Sequence, residues 1–148
     1  MKPLIVLIVV FTLTLFGIKI FQGRWDLIFS GSLAMSMMLV LTAIGHMKFT
    51  RGMVMMMPSF LPYKKTLVYA TGIFEIVAAV GLLIDSYRHL TAIALIIFFI
   101  LILPANIYGA IRKVNIEKGS YNGPGPGYLW FRIPMQLFFI GWVWYFCL

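Results

Sequence analysis

Residues 67–84 form an apolar run with one charged side chain, the carboxylate of Glu75 near its middle. At about 1.5 Å per residue, a helix of this length nearly spans a hydrocarbon core of roughly 30 Å. Glu75 would then lie close to the middle of a bilayer, where an ionisable side chain is costly and usually has a function. The run therefore predicts a transmembrane helix that carries a buried carboxylate.

Four more apolar runs accompany this one, and only 11% of the 148 residues are charged, compared with about 25% in soluble domains. The connectors are too short for a second fold, so we expect residues 1–148 to form one domain. We predict an all-α fold, a polytopic transmembrane bundle of five membrane-spanning helices, the fourth interrupted by Pro104. The predicted spans are residues 4–21, 27–45, 67–84, 90–108 and 128–148.

The connector 46–66 is basic at both ends but apolar and rich in methionine in its middle, residues 52–62. It is too short and too rich in proline to span, so we expect an interfacial or re-entrant segment that lies on the helices. Its methionines are interpreted as apolar cover rather than as copper ligands. The connector 85–89 is predicted to be a tight turn, and the loop 109–127 ends in a Gly-Pro-Gly-Pro-Gly sequence that cannot be helical.

Basic residues are unequally distributed between the two sides of a five-helix bundle. Nine lie on the side of the N-terminus and three on the other, which predicts a cytoplasmic N-terminus and an external C-terminus. The net charge of +8 is explained in this way, so nucleic-acid binding is not predicted. The nine are Lys2, Lys48, Arg51, Lys64, Lys65, Arg112, Lys113, Lys118 and Arg132, and the three are Lys19, Arg24 and Arg88.

Polar side chains inside the predicted spans converge on the cytoplasmic half of the bundle. From that face, Gln136 is roughly 10 Å deep and Glu75 roughly 13 Å deep at about 1.5 Å per residue, so the two can meet. A buried carboxylate is neutral unless a cation or several donors stabilise its charged form, and Arg132 is the first candidate for this role, with His46 the second. The candidate site residues are His46, Glu75, Asn106, Arg132 and Gln136.

The helical face around Glu75 is built from small side chains. Positions three and four residues away share its face, and they are Thr71, Gly72, Ala78 and Ala79. Small residues allow close helix packing in lipid, so this face is expected to point into the protein. The residues expected to face lipid are Ile73, Val77, Val80 and Ile84.

The five polar residues have two interpretations, a ligand site or a structural polar clasp that holds the helices together. His46 is explained equally well as an interfacial residue beside Lys48. Because His89 falls on the opposite side, a haem held by two histidines is not expected, and no Cys/His cluster has the spacing of a metal site. The single cysteine, Cys147, excludes an intrachain disulfide.

A series of motifs resembles the DoxX-like family of small bacterial membrane proteins, and the resemblance extends from Leu27 to the C-terminus. The order of the motifs is more specific than any one of them. It implies a four-helix core to which the first predicted helix is an addition. The motifs are Gly45-His46-Met47-Lys48-Phe49, Pro58 with Leu61-Pro62, Thr71-Gly72-Ile73-Phe74-Glu75, Leu103-Pro104-Ala105-Asn106-Ile107 and Arg132-Ile133-Pro134-Met135-Gln136.

This resemblance implies a location in the bacterial inner membrane and a link to sulfur or quinone redox metabolism. We therefore expect an accessory protein without intrinsic cofactor or metal, whose pocket binds a quinone or a lipid. The enzymatic version is a subunit of a quinone-linked oxidoreductase, whose redox centre would belong to a membrane partner protein. The alternative is an assembly factor or chaperone whose polar residues are purely structural.

Overall fold

The computed structural model describes residues 2–115, 118–123, 125, 127 and 129–148, and this part of the chain is all-helical apart from an isolated bridge between Asn115 and Ser120. The Gly-Pro repeat predicted to be non-helical lies partly outside the described residues, at Pro124 and Pro126. The described helices are α1 (Lys2–Gln22), α2 (Leu27–Lys48), α3 (Thr50–Met56), α4 (Lys64–Leu83), α5 (Asp85–Ile111) and α6 (Leu129–Cys147).

Within the described residues, four helices are long and apolar enough to cross a membrane: α1, α2, α4 and α5. The fifth predicted span coincides with α6, which is not among them. Its first half contains Arg132, Pro134 and Gln136. The helical content of the prediction is thus confirmed, whereas the crossing by α6 stays a prediction.

The centre of the bundle is the contact between α2 and α4, and small residues make it close. Gly72, Ala78 and Ala79 are buried on α4, whereas Ile73 and its neighbours on the opposite face are exposed. This division confirms the packed face predicted around Glu75. The matching small residues of α2 are also buried, namely Ser30, Gly31, Ser32, Ala34 and Ser36.

At the end of the bundle where α2 begins, the Asp26 carboxylate caps α2 by accepting a hydrogen bond from Phe29 N at 3.0 Å. There α2 packs against the end of α6. Trp142 Nε1 donates to Gly31 O at 3.1 Å, and Cys147 Sγ lies 3.6 Å from Ser32 Oγ. Helix α6 therefore runs antiparallel to α2, as alternating spans require.

Two local predictions about α5, which contains the fourth predicted span, were wrong. Residues 85–89 form the beginning of α5 rather than a tight turn. Ile84 alone separates α5 from α4. An acidic residue stabilises a helix N-terminus, and Asp85 takes that place and pairs with Arg88. Pro104 does not interrupt the helix, which continues to Ile111. In membrane helices, neighbouring helices can satisfy the backbone carbonyls that a proline leaves without a donor. Here Gln136 Nε2 of α6 donates to Phe99 O in the turns before Pro104.

Candidate functional site

A cavity of about 540 Å³ lies at one end of the bundle. It is lined by the beginnings of α1, α4 and α6, by the ends of α2 and α5, and by α3. Successive long helices therefore run in opposite directions. The cavity lies at the end of the bundle that carries the nine basic residues. The structure brings all five sequence-predicted polar residues to the wall of this cavity: His46, Glu75, Asn106, Arg132 and Gln136.

Glu75 is paired with His46 across the contact of α2 with α4. Glu75 Oε2 lies 3.0 Å from His46 Nδ1, and the glutamate side chain is only 5% exposed. Gly72 makes this approach possible, because a Cβ at that position would lie 3.0 Å from the Cβ of His46. The partner of Glu75 is thus His46, the second of the two candidates, and not Arg132.

His46 Nδ1 lies between the backbone of its own helix and the carboxylate of Glu75. Nδ1 lies 2.8 Å from Thr42 O, an acceptor, so this nitrogen carries the hydrogen. Glu75 Oε2 is near the imidazole but has no hydrogen-bond partner among the described residues. One carboxylate oxygen therefore keeps its capacity to accept a hydrogen bond at the cavity wall.

A second polar pair joins α5 to α6. Arg132 Nη2 donates to Asn106 Oδ1 at 2.9 Å, and Gln136 Nε2 donates to Phe99 O at 3.2 Å. Asn106 and Gln136 are both buried. A hydrogen bond thus joins Asn106 to Arg132. The sequence placed both residues in the cytoplasmic half of the bundle but did not pair them.

Two donors of this pair have no acceptor in the part of the chain that the structure describes. They are Asn106 Nδ2 and Arg132 Nε, and both are buried. Leaving a buried donor without a partner costs about 1–3 kcal/mol, and more for a charged group. These two donors and Glu75 Oε2 all belong to side chains that line the cavity.

The remaining walls are mainly apolar, and α3 contributes to them with Met53, Met56 and the adjacent Met57. Helix α3 approaches α5 closely at Gly109, where a Cβ would meet Met56 Cγ at 2.7 Å. The methionine-rich segment is therefore a short helix that packs on the bundle and covers the cavity. The role of its methionines as apolar cover and its depth in a bilayer stay predictions.

Sequence reasoning missed the mouth of the cavity. Three lining residues are exposed, Lys2 at the start of α1 and Ile44 and Lys48 near the end of α2. The available signal was the phase of α2, since position 44 lies two residues before His46 and so on another face of the helix. The opening thus combines two ammonium groups with an aliphatic surface.

The loop after α5 adds positive charge near the cavity. Arg112 Nη1 donates to the hydroxyl of Tyr108 at 2.7 Å, and the guanidinium lies over the rings of Tyr108 and Tyr121. The hydrogen bond to Tyr108 raises the pKa of Arg112 above its ordinary value. An arginine is charged at physiological pH in any case. Arg51 of α3 packs on Gly119 of the same loop.

No group of three or more His, Cys, Asp and Glu residues that could hold a metal ion is present among the described residues. Methionine sulfur atoms are not counted in these groups.

The sequence pattern of a family described as Domain of unknown function (DUF8561) matches residues 35–147. The chain belongs to this family. The match includes all five polar residues of the cavity and leaves out α1 and the beginning of α2. No curated protein and no solved structure matches the chain significantly.

Proposed function

We propose that this DUF8561 protein is a membrane-embedded binding protein whose cavity holds a hydrophobic ligand with a polar head, either a quinone or a lipid. The observation that supports this most strongly is the pair of buried donors, Asn106 Nδ2 and Arg132 Nε, on the wall of one cavity. An oxygen atom of a carbonyl or a head group would satisfy both. Glu75 Oε2 would accept a hydrogen bond from a hydroxyl of a lipid head or hold His46 in place.

The size and composition of the cavity fit this role. Pockets for small organic ligands usually measure about 300–1,000 Å³ and combine apolar walls with a few fixed polar groups. The present cavity has about 540 Å³, and its apolar walls include Phe98, Phe99 and Phe139. A ligand dissolved in the bilayer would place its apolar part against these walls.

In the proposed arrangement five helices cross the bacterial inner membrane, with α6 as the fifth. The cavity end, with its nine basic residues, faces the cytoplasm, and the C-terminus lies outside. Helix α3 and its methionines lie at the cytoplasmic interface and cover the ligand. This places the mouth formed by Ile44 and Lys48 at the level of lipid head groups.

The resemblance to the DoxX-like family favours a quinone and an accessory role in redox or sulfur metabolism beside a membrane partner protein. The rival proposal is an assembly factor in which the polar residues only tie helices together. The bonds from Arg132 to Asn106 and from Gln136 to Phe99 O favour it, because each joins α5 to α6. A variant that blocks the cavity without changing any polar residue distinguishes the two.

Ala105→Phe is such a variant, because Ala105 lines the cavity on α5 and has no polar side-chain atom. The protein is extracted in mild detergent with its native lipids and examined by native mass spectrometry. We expect the wild type to carry a co-purified small molecule and Ala105→Phe to lose it, with thermal unfolding little changed.

Leu101→Phe is the matched control, since residue 101 lies on the same helix and is 70% exposed. It introduces the same ring outside the cavity and should retain the ligand. A wild type without any co-purified molecule, in a protein that also fails to bind added quinone or lipid, would refute the pocket and leave the structural clasp.

A further inference from the structure

We infer that the ligand head carries a negative charge, so that the cavity takes an anionic amphiphile, with a carboxylate or phosphate head, in preference to a neutral quinone. This inference rests on the proposed function and narrows it. Its first support is the identity of the two buried donors, because one of them belongs to a guanidinium. Arg132 has no carboxylate within ion-pair distance among the residues that the structure describes.

The two donors form a preorganised anion site. Arg132 Nη2 donates to Asn106 Oδ1, which fixes the guanidinium and leaves Nε and the neighbouring Asn106 Nδ2 for an incoming oxygen. Asn106 is only 6% exposed, and its Nδ2 is buried without an acceptor among the described residues. Charge-assisted hydrogen bonds to an anionic oxygen are roughly twice as strong as those to a neutral carbonyl.

The charge around the cavity has the same sign. Nine basic residues lie at this end of the described chain, whereas Asp26 and Asp85 begin α2 and α5 at the other end. Glu75 is the one carboxylate at the cavity end within the described residues, and it faces His46. The resulting field attracts anions and repels cations. Basic pockets between transmembrane helices on the cytoplasmic side are also the sites where acidic lipid head groups bind.

The mouth provides a path for an amphiphile rather than for a free anion. Lys48 is exposed at the end of α2, and Ile44, one turn earlier, is 55% exposed on the same helix. An acidic head can enter past the ammonium group while its acyl chain stays against Ile44 and Leu41. A chain with this path keeps its tail partly in the bilayer, so the cavity need not contain the whole lipid.

The test compares three amphiphiles that share an oleyl or oleoyl chain and differ in the head, together with a neutral quinone. Full-length protein in phosphatidylcholine nanodiscs is titrated with oleate, oleoyl lysophosphatidate, oleyl alcohol and decylubiquinone, and bound ligand is counted by native mass spectrometry. We expect one of the two acids to bind at least about tenfold more tightly than the alcohol and the quinone. Preference for oleate indicates a carboxylate head, and preference for lysophosphatidate indicates a phosphate head.

Arg132→Gln keeps an amide donor and removes the charge, and it should abolish the preference for the acid over the alcohol. Arg24→Gln removes one positive charge at the opposite end and should preserve the preference. Lys48→Gln is the second variant at the cavity end, in case Arg132→Gln does not fold, and should reduce the preference and its salt dependence.

Equal binding of acid, alcohol and quinone by the wild type would overturn the negative head and leave the proposed pocket intact. Preservation of the acid preference in a folded Arg132→Gln protein would also overturn it. Absence of binding by all four probes would refute the proposed function as well.

Discussion

Glu75 and His46 face each other across the contact of α4 with α2, with 3.0 Å between Oε2 and Nδ1. The pair joins α4 to α2 at the wall of the cavity, and Glu75 is almost fully buried. Removing one partner of a buried pair leaves the other uncompensated, which usually costs about 3–5 kcal/mol. The pair is therefore both a structural contact and the boundary of the proposed site.

A double-mutant cycle measures this coupling. His46→Leu and Glu75→Leu should each lower the Tm in mild detergent, and the double variant should be less destabilised than the sum of the two. We expect an interaction free energy of about 1–3 kcal/mol, the range for residues in direct contact. Additive effects of the two substitutions would show that the contact contributes nothing to stability.

Gly72 allows His46 to lie against α4, and its replacement tests that closeness. A Cβ on residue 72 would be 3.0 Å from the Cβ of His46, so the larger side chain of Gly72→Leu must separate the two helices. Overpacking of this kind costs about 1–3 kcal/mol. Gly17→Leu is the control, because a Cβ there meets nothing within 4 Å and leucine favours a helix over glycine. Similar Tm values for the two variants would contradict the close approach.

The contact of Gly109 with Met56 is predicted to hold α3 over the cavity. A Cβ on residue 109 would lie 2.7 Å from Met56 Cγ, so Gly109→Leu should displace α3. A thiol introduced by Met53→Cys, in a Cys147→Ser background, should then react several-fold faster with a water-soluble maleimide. An unchanged labelling rate would mean that α3 is positioned by its other contacts.

The position of α6 predicts an external C-terminus. A phosphatase fused after Leu148 should be active and a fluorescent protein at the same place dark, because the C-terminus of a fifth span lies outside. A fusion after Ile111, at the end of α5, should give the opposite result. Cytoplasmic signals from both positions would show that α6 does not cross.

The sequence predicted the fold where hydrophobic periodicity decides it, and the buried face of α4 is the clearest case. Small residues three and four positions from Glu75 required a close neighbour, and α2 supplies it. The same reasoning failed at residues 85–89, because Asp85 and Arg88 resemble a polar turn and in fact begin α5. Asp85 and Arg88 are compatible with a polar turn and also with the beginning of a helix. Composition alone therefore could not decide between the two structures.

The pairing of the site residues was beyond the sequence for a geometric reason. Depth along each helix placed five polar groups together, but the rotation of neighbouring helices decides which side chains touch. Electrostatics favoured Arg132 beside Glu75, whereas the close approach at Gly72 gives that place to His46. Arg132 is left to Asn106, and this exchange creates the two buried donors on which the proposed site depends.

The most direct test of the proposed pocket is photo-crosslinking with mapping by peptide mass spectrometry. Diazirine-bearing quinone and fatty acid probes are applied separately to the protein in nanodiscs, and the labelled residues are identified. We predict that at least one probe labels Met135, Phe139 or Met38 inside the cavity, and that Ala105→Phe suppresses this label. Labelling confined to exposed positions such as Ile73 and Val77, and unchanged by Ala105→Phe, would contradict the pocket.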